Sequence, residues 1–427
     1  MSEKTAPYSW YVLAILLCVY SANWMDRYVL IILLQPIKHD LKLSDTELGL
    51  VSGFAFAIVY SLAGIPIARW ADRAVRRSVI AGGLLVWSAM TGLSGLAANF
   101  AQLVAARFGV ALGESACSPA ASSLIADYFP AERRATAFAI YGVGISIGMA
   151  LGLAVGGWAN QLYGWRAAFF VVGLPGVALA LILRLTIREP IRGQVETISV
   201  DHARYSSAAA AMRAILLRRS FLAYGIGLGL FSFSGNAFET WTPVYLMRAY
   251  HMQTGALGSR LGALDALSGL IGTLAGGLIA DRLGRRDPRW YLWMPAAAVG
   301  MMIPLMFAFL HTGGSTMYGF YFLTEVCSSS YMAPMVAITQ RVMPVHLRAL
   351  STALLYLLLN LIGPGAGPFV AGVLSDLFTP TYGVQGLRLS LTVTLLGAAC
   401  GLALTLWAAS KLPADLARGR RAALEER

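Results

Sequence analysis

Seven ionisable residues lie in or beside long apolar stretches: Asp26, Arg27, Arg107, Glu114, Glu239, Asp265 and Glu325. An ionised side chain at mid-bilayer costs roughly 2.5–3.5 kcal/mol on insertion scales, so a charge retained there marks a place where ions or charged groups are handled. Arg107 and Glu114 stand two helical turns apart, on nearly the same face. Asn23, Asp26 and Arg27 follow the i, i+3, i+4 pattern and share another face. If those faces meet, two acids and two arginines occupy one low-dielectric pocket. Burial disfavours a charged carboxylate while a guanidinium favours it, and that balance lets an acid take up and release a proton. Asp26 and Glu114 are therefore the candidate proton carriers. Arg27 and Arg107, with Asn23 beside them, are candidates for an anionic substrate group, since the planar guanidinium matches carboxylate and phosphate. The alternative is a permanent ion-pair network tying two helices together.

A second group falls later in the chain. Glu239 is near Asn236, Trp241 and Pro243, and Glu325 is near Tyr321, Ser328 and Ser329. Tyr or Trp beside an acid suits an amphiphilic or cationic ligand, although aromatic residues also pack helix bundles for their own sake. Glu239, Trp241, Tyr321 and Glu325 are taken as candidate substrate contacts. Asp265 is expected nearer an outer mouth, simply hydrated.

The elements that must position these groups follow from composition. Hydrophobic residues make up 57% of the 427 and charged residues 13%, against about 25% charged in a soluble domain; mean hydropathy is +0.65. Apolar runs fall near 10–34, 47–68, 78–98, 101–127, 135–160 and 166–187, then near 219–247, 257–281, 290–311, 315–341, 348–375 and 386–409. In lipid such runs must be helices, because an open strand leaves backbone groups unpaired. The reading is an all-α membrane protein of twelve spans in two six-helix halves. The domains are 1–187, a polar linker at 188–218, 219–410, and a tail at 411–427. Within the linker, Met212, Ile215 and Leu216 share a face, which suits a short helix on the membrane surface or a plain linker.

Lys and Arg set the orientation. With both termini cytoplasmic, 25 lie on the inner side and 6 on the outer: Lys38, Lys42, Arg166, Arg248, Arg260 and Arg388. The net charge of +12 thus reads as basic loops facing the cytoplasm, with no nucleic-acid-binding motif of a recognised kind. The first apolar stretch is too long for a cleaved leader and carries Asp26 and Arg27, so it is expected to be retained. Four scattered cysteines and five histidines form no disulfide frame or metal-ligand spacing. There is no G-x-x-x-x-G-K-[ST] phosphate loop and no hydrolase motif, so neither ATP drive nor an enzyme is expected, and no cofactor or metal. Spans three, six, nine and twelve carry no charge between their ends, as helices facing lipid should, whereas charge concentrates in spans one, four, seven and ten.

The halves repeat. Ala68-Arg-Trp-Ala-Asp72-Arg73-Ala-Val-Arg76-Arg77 aligns with Gly277-Leu-Ile-Ala-Asp281-Arg282-Leu-Gly284-Arg285-Arg286, and Pro130 with Arg134-Ala135 aligns with Pro344 with Arg348-Ala349. Duplicated bundles of this sort hold substrate near the midplane between halves. The G-x-x-x-D-R-x-G-R-R loop after span eight, with its weaker copy after span two, resembles the signature loop of the major facilitator superfamily; Ala68 and Val75 depart from its glycines. That resemblance implies alternating access and makes Asp72, Arg73, Arg77, Asp281, Arg282 and Arg286 gating residues. Met25-Asp26-Arg27, Gly113-Glu114-Ser115, Ala126-Asp127-Tyr128-Phe129-Pro130, Gly164-Trp165-Arg166 and Arg188-Glu189-Pro190 look like bacterial spinster-type transporters. This implies a secondary active, proton-coupled transporter in the inner or plasma membrane, monomeric, moving a lipid-like or amphiphilic substrate such as a lysolipid or phosphorylated long-chain base. Organic-anion symporters of the same superfamily share the span-one and span-four charges, so a small organic anion is the second reading. A non-transporting sensor on the same fold is the third.

Glycines at 144, 148, 152 and 156–157 put a close-packing stripe on span five. Asn360, Gly363-Pro364 and Gly367-Pro368 mark a bend in span eleven.

Overall fold

The computed structural model describes residues 7–71, 73–190, 215, 219–343 and 347–425. Among these the chain is helical throughout, and the helices form twelve spans. They are α1 (Pro7–Leu41), α2 (Asp45–Ala71), α3 (Arg76–Ser94), α4 (Phe100–Glu114 and Cys117–Tyr128), α5 (Ala131–Tyr163) and α6 (Trp165–Thr186), followed by α7 (Arg219–Tyr250), α8 (Thr254–Gly284), α9 (Trp290–His311), α10 (Thr316–Ser329 and Met332–Val342), α11 (Arg348–Asn360, Leu361–Ala366 and Gly367–Tyr382) and α12 (Gln385–Glu425). Nine of the described spans are long and apolar enough to cross a bilayer.

Two spans expected to be continuous are broken. α4 is interrupted at Ser115–Ala116 and α10 at Ser330–Tyr331. Pro119 and Pro334 each fall four residues past the serine where the break begins. Proline has no N–H for the carbonyl of residue i−4, so Ser115 and Ser330 each lose a helical partner at the same place in the two halves. α12 also differs from expectation, running as helix beyond residue 410. The linker helix lies outside the described residues except for Ile215, which is fully buried in a core with Phe221, Tyr224 and Leu412. That side chain contributes to packing rather than to a membrane surface.

The chain divides into two compact units. One comprises residues up to 199 together with Thr240–Ala266; the other comprises 200–239 and the chain from Leu267 onward. The first has a core around Leu16, Leu84, Trp87, Leu124 and Phe129. Large apolar side chains stay exposed on the charge-free spans, including Leu93 on α3, Leu174 and Leu185 on α6, Met301 on α9 and Leu396 on α12. Lipid is as apolar as leucine, so such faces are at no disadvantage in a bilayer.

The small-residue stripe on α5 meets α1. A Cβ at Gly148 would stand 2.4 Å from the Ser21 carbonyl oxygen, and one at Gly152 would stand 2.7 Å from that of Met25. The other half repeats this contact, where a Cβ at Gly367 of α11 would stand 2.4 Å from the Phe233 carbonyl oxygen of α7. The bend expected in α11 takes the form of a wide turn at Leu361–Ala366, around Pro364. Gly164, between α5 and α6, has φ +86°, a conformation that costs glycine nothing and other residues dearly. Gly148→Leu is expected to push α5 off α1 and cost about 3 kcal/mol, read as a lower unfolding midpoint in mixed micelles. Gly142→Ala, on the open face of the same helix, should be neutral or slightly stabilising.

Candidate functional site: a buried charge cluster on α1, α3 and α4

Asn99 starts α4 by accepting a hydrogen bond from the Gln102 N–H at 3.0 Å. Counting from that cap, Arg107 and Glu114 fall two turns apart on the helix, with Glu114 the last residue before the break. α1 is set against the same space by its glycine contact with α5, which directs Asn23, Asp26 and Arg27. The outcome is one cluster. Asn23, Asp26, Arg107 and Glu114 are all buried, and Glu114 has no exposed surface.

Arg27 donates to Glu114 Oε2 from Nε at 2.8 Å and from Nη2 at 2.7 Å. Its guanidinium carbon lies 5.1, 4.7 and 5.0 Å from the ring centres of Trp24, Phe56 and Tyr60. An acid on one side and aromatic faces around it hold this cation, whose side chain is 22% exposed. Arg107 shares the Phe56 ring at 5.4 Å. It is 2% exposed, yet its Nε and Nη1 have no hydrogen-bond partner among the described residues. Unused N–H groups on a buried guanidinium are costly, and an anion placed against them would relieve that cost. Asp26 is engaged differently from Glu114, because its Oδ2 accepts from the Thr91 hydroxyl of α3 at 3.0 Å. Thr91 was not anticipated. No apolar-versus-charged pattern in α3 singles out one threonine.

The second group of candidates lies on α7 and α10. Tyr321 packs with Phe238 and Phe309, ring centres 5.9 and 5.7 Å away, in an aromatic core. Trp241 has no exposed surface, and Glu325 is 6% exposed. Glu239 is half-buried, and Asn236 donates to Ser232 one turn back on its own helix. Asp265 is 3% exposed, which corrects the expectation of a hydrated mouth.

Among the gating candidates, Asp72 lies outside the described residues, and Arg73, Arg282 and Arg286 are exposed. Asp281 accepts from the Tyr291 hydroxyl at 2.8 Å, and Arg341 donates to that hydroxyl at 2.9 Å. Arg77 donates from Nη1 to the Ile187 carbonyl at 2.7 Å and from its backbone to Glu189 at 3.0 Å. The centre of this loop is Arg76, a member of the repeated motif to which the sequence assigns no gating role. Arg76, 3% exposed, donates to Glu189 Oε1 at 2.8 Å and to Ser123 Oγ at 2.7 Å, and pairs with Asp127. It joins the start of α3 to the ends of α4 and α6.

A second charged node joins the end of α1, the start of α2 and the end of α7. Ser44 and Glu47 form a capping box that starts α2, so Asp45 stands in the first turn. Asp45 receives Lys38 at 2.5 Å and both Nη atoms of Arg248 at 2.7 and 2.6 Å, while Arg248 Nε donates to Gln35 at 2.8 Å. Beside it α5 and α8 are stitched by neutral bonds, Asn160 to Thr254 at 2.9 Å and Trp158 to Ser259 at 2.8 Å.

Comparison with known proteins identifies the family and the fold. Residues 16–368 match the family model described as Major Facilitator Superfamily. An MFS-type efflux pump of Mycolicibacterium smegmatis is 35% identical over 419 residues, covering 98% of this chain and 95% of the relative. The sphingosine-1-phosphate transporter SPNS2 of Danio rerio is 26% identical over 381 residues, covering 84% of this chain and 75% of the relative. Among solved structures, a bacterial homologue of the human lysosomal transporter spinster, in an inward-facing and unoccupied conformation, superposes with TM-score 0.88 at 29% identity, over 96% of this chain and 99% of that one. Twelve spans in repeated halves, the paired signature loops and a family match running from the first span into the eleventh lead to one conclusion: this chain belongs to the Major Facilitator Superfamily and is a spinster-like membrane transporter rather than an enzyme.

Proposed function

We propose that this protein is a proton-coupled secondary transporter of an amphiphilic, anionic substrate, and that in the α1–α4 cluster the ionised Glu114 and the substrate compete for an arginine. The observation that carries this reading is the unequal state of the two arginines. Arg27 is engaged by Glu114 and three rings, while buried Arg107 keeps two nitrogens without a hydrogen-bond partner among the described residues. An anionic headgroup fits Arg107 first. Protonation of Glu114 then removes the charge that holds Arg27 and frees a second guanidinium for the same headgroup. Proton uptake and anion binding thereby favour each other, as coupled transport requires.

The aromatic surroundings of Arg27 suit the apolar part of an amphiphile next to its charge. The spinster-like relatives, one of them named for sphingosine-1-phosphate, support a phosphorylated single-chain lipid over a small organic acid. Asn23, Glu239, Trp241, Tyr321 and Glu325 belong to the substrate path in this reading. Arg73, Arg77, Asp281, Arg282 and Arg286, with Asp72, act as the cytoplasmic gate. Both termini face the cytoplasm, and the protein works as a monomer in the inner membrane.

The test uses purified protein in proteoliposomes with an imposed pH gradient. Lysophosphatidic acid and sphingosine phosphate are offered against galactarate as a polar anion. Glu114→Gln is expected to lose pH-driven flux by at least about tenfold, the change expected when about 1.4 kcal/mol of coupling is lost. Exchange at equal pH should persist. Full pH-driven flux in that variant rejects Glu114 as a proton carrier, and galactarate flux without lipid flux selects the organic-anion reading.

A further inference from the structure

Thr91 is a neutral group hydrogen-bonded to the candidate proton carrier Asp26, and three features of its setting give that contact meaning. The first is rigidity. At the level of Thr91, α3 is pressed between two helices by glycine contacts. A Cβ at Gly173 of α6 would stand 2.7 Å from the Ser88 carbonyl oxygen and 2.9 Å from Gly92 N, and one at Gly113 of α4 would stand 2.7 Å from Trp87 N. Backbones this close cannot slide independently. The hydroxyl is a fixed point against which Asp26 is aimed.

The second is dryness. Thr91 has no exposed surface and Asp26 is 2% exposed, so no bulk water replaces the bond when it is lost. The third is the charge around Asp26. Arg27 follows it on α1, and Arg107 and Glu114 face it from α4. α5 meets this stretch of α1 with Gly148 and Gly152, which carry no charge. Of the two cations, Arg27 is committed to Glu114. Among the described residues, the hydrogen bond to the Asp26 carboxylate comes from Thr91.

We propose that Thr91 is a positioning residue for proton transfer at Asp26, and this rests on the proton-coupled reading above. A hydroxyl can serve both states of its partner. It donates to the carboxylate, and it accepts from the carboxylic acid once the proton has arrived. Asp26 therefore changes charge without leaving a buried group unpaired and without drawing Arg27 away from Glu114. A lysine or arginine in that place would hold the carboxylate in one state, and an apolar residue would leave the charged state without a donor.

The experiment is a pH titration of the purified transporter in nanodiscs, followed by the carboxyl stretch in difference infrared spectra. The Asp26 band is identified as the one lost in Asp26→Asn. Thr91→Val removes the hydroxyl at nearly constant volume and so penalises the carboxylate form. The Asp26 midpoint is expected to move up by about one pH unit, the size of one hydrogen bond to a charged group, and Thr91→Ser is expected to restore it. The pH profile of proteoliposome flux should move the same way with KM at low pH unchanged. A Thr91→Val titration that superimposes on wild type overturns the proposal, as does a Thr91→Ser midpoint no nearer to wild type than that of Thr91→Val. If Asp26→Asn removes no titrating band, the proton-coupled assignment of Asp26 fails instead, and the two failures are told apart.

Discussion

Arg76→Ala is expected to cost about 3–5 kcal/mol of stability, the range for removing one partner of a buried ion pair. The side chain is 3% exposed and sits between Asp127, itself 10% exposed, and Glu189, 21% exposed. Truncation leaves two carboxylates facing each other at the point where α3, α4 and α6 converge, with Ser123 and the Pro190 carbonyl also losing a donor. Lysine in this place should recover little. The guanidinium uses Nε, Nη1 and Nη2 in three directions, and an ammonium on a flexible stem cannot reproduce that fork. The measurement is the unfolding midpoint in mixed detergent, with Arg73→Ala as the comparison. Arg73 is exposed, so its loss should stay within about 0.5 kcal/mol. Equal effects from the two substitutions would mean that Arg76 serves only to orient the chain in the membrane.

The second large effect is expected at Asp45. Its carboxylate, 1% exposed, receives Lys38 and the fork of Arg248, which are 29% and 15% exposed. Asp45→Ala leaves two cations side by side with no anion. Their partial exposure lets water take up some of the cost, so the lower end of the range applies, about 3 kcal/mol. A double substitution, Asp45→Ala with Arg248→Ala, should cost clearly less than the sum of the single changes, because the repulsion it would relieve exists only when the acid is missing. Simple additivity would show that the two residues do not act as a pair. Asp45→Asn should fall between, since the amide keeps the volume and one acceptor but gives up the charge.

These two nodes lie at opposite ends of the first unit, and their legibility in the sequence differed. The repeated loop includes Arg76 along with Asp72, Arg73 and Arg77, but nothing in its pattern marks Arg76 as the residue that carries the contacts. Its acid partners come from Asp127 and Glu189, 51 and 113 residues away, and no local spacing announces such a meeting. Asp45 reads as an ordinary acidic first-turn residue, which the helix dipole favours; its role as receiver of Arg248 depends on a helix 203 residues distant. The breaks in α4 and α10 were legible in principle, since Pro119 and Pro334 each withhold an N–H, but hydrophobic runs alone ignore that donor count.

The amino-acid sequence by itself determined the solvent, the element and the repeat. A chain that is 57% hydrophobic and 13% charged has to bury its spans in lipid, where the backbone must close its own hydrogen bonds and so becomes helix. The charges kept inside those spans then had to find each other or face water, which is why Asp26, Arg27, Arg107 and Glu114 were recognisable as a set. Only the tertiary structure decided the pairing within that set: Arg27 with Glu114, Asp26 with Thr91, and Arg107 with two nitrogens unclaimed among the described residues. The reason is geometric. Helical periodicity tells which residues share a face, but which hydroxyl or guanidinium lies within 3 Å of a given carboxylate depends on how closely neighbouring backbones approach, and that is set by glycine contacts between helices far apart in the chain.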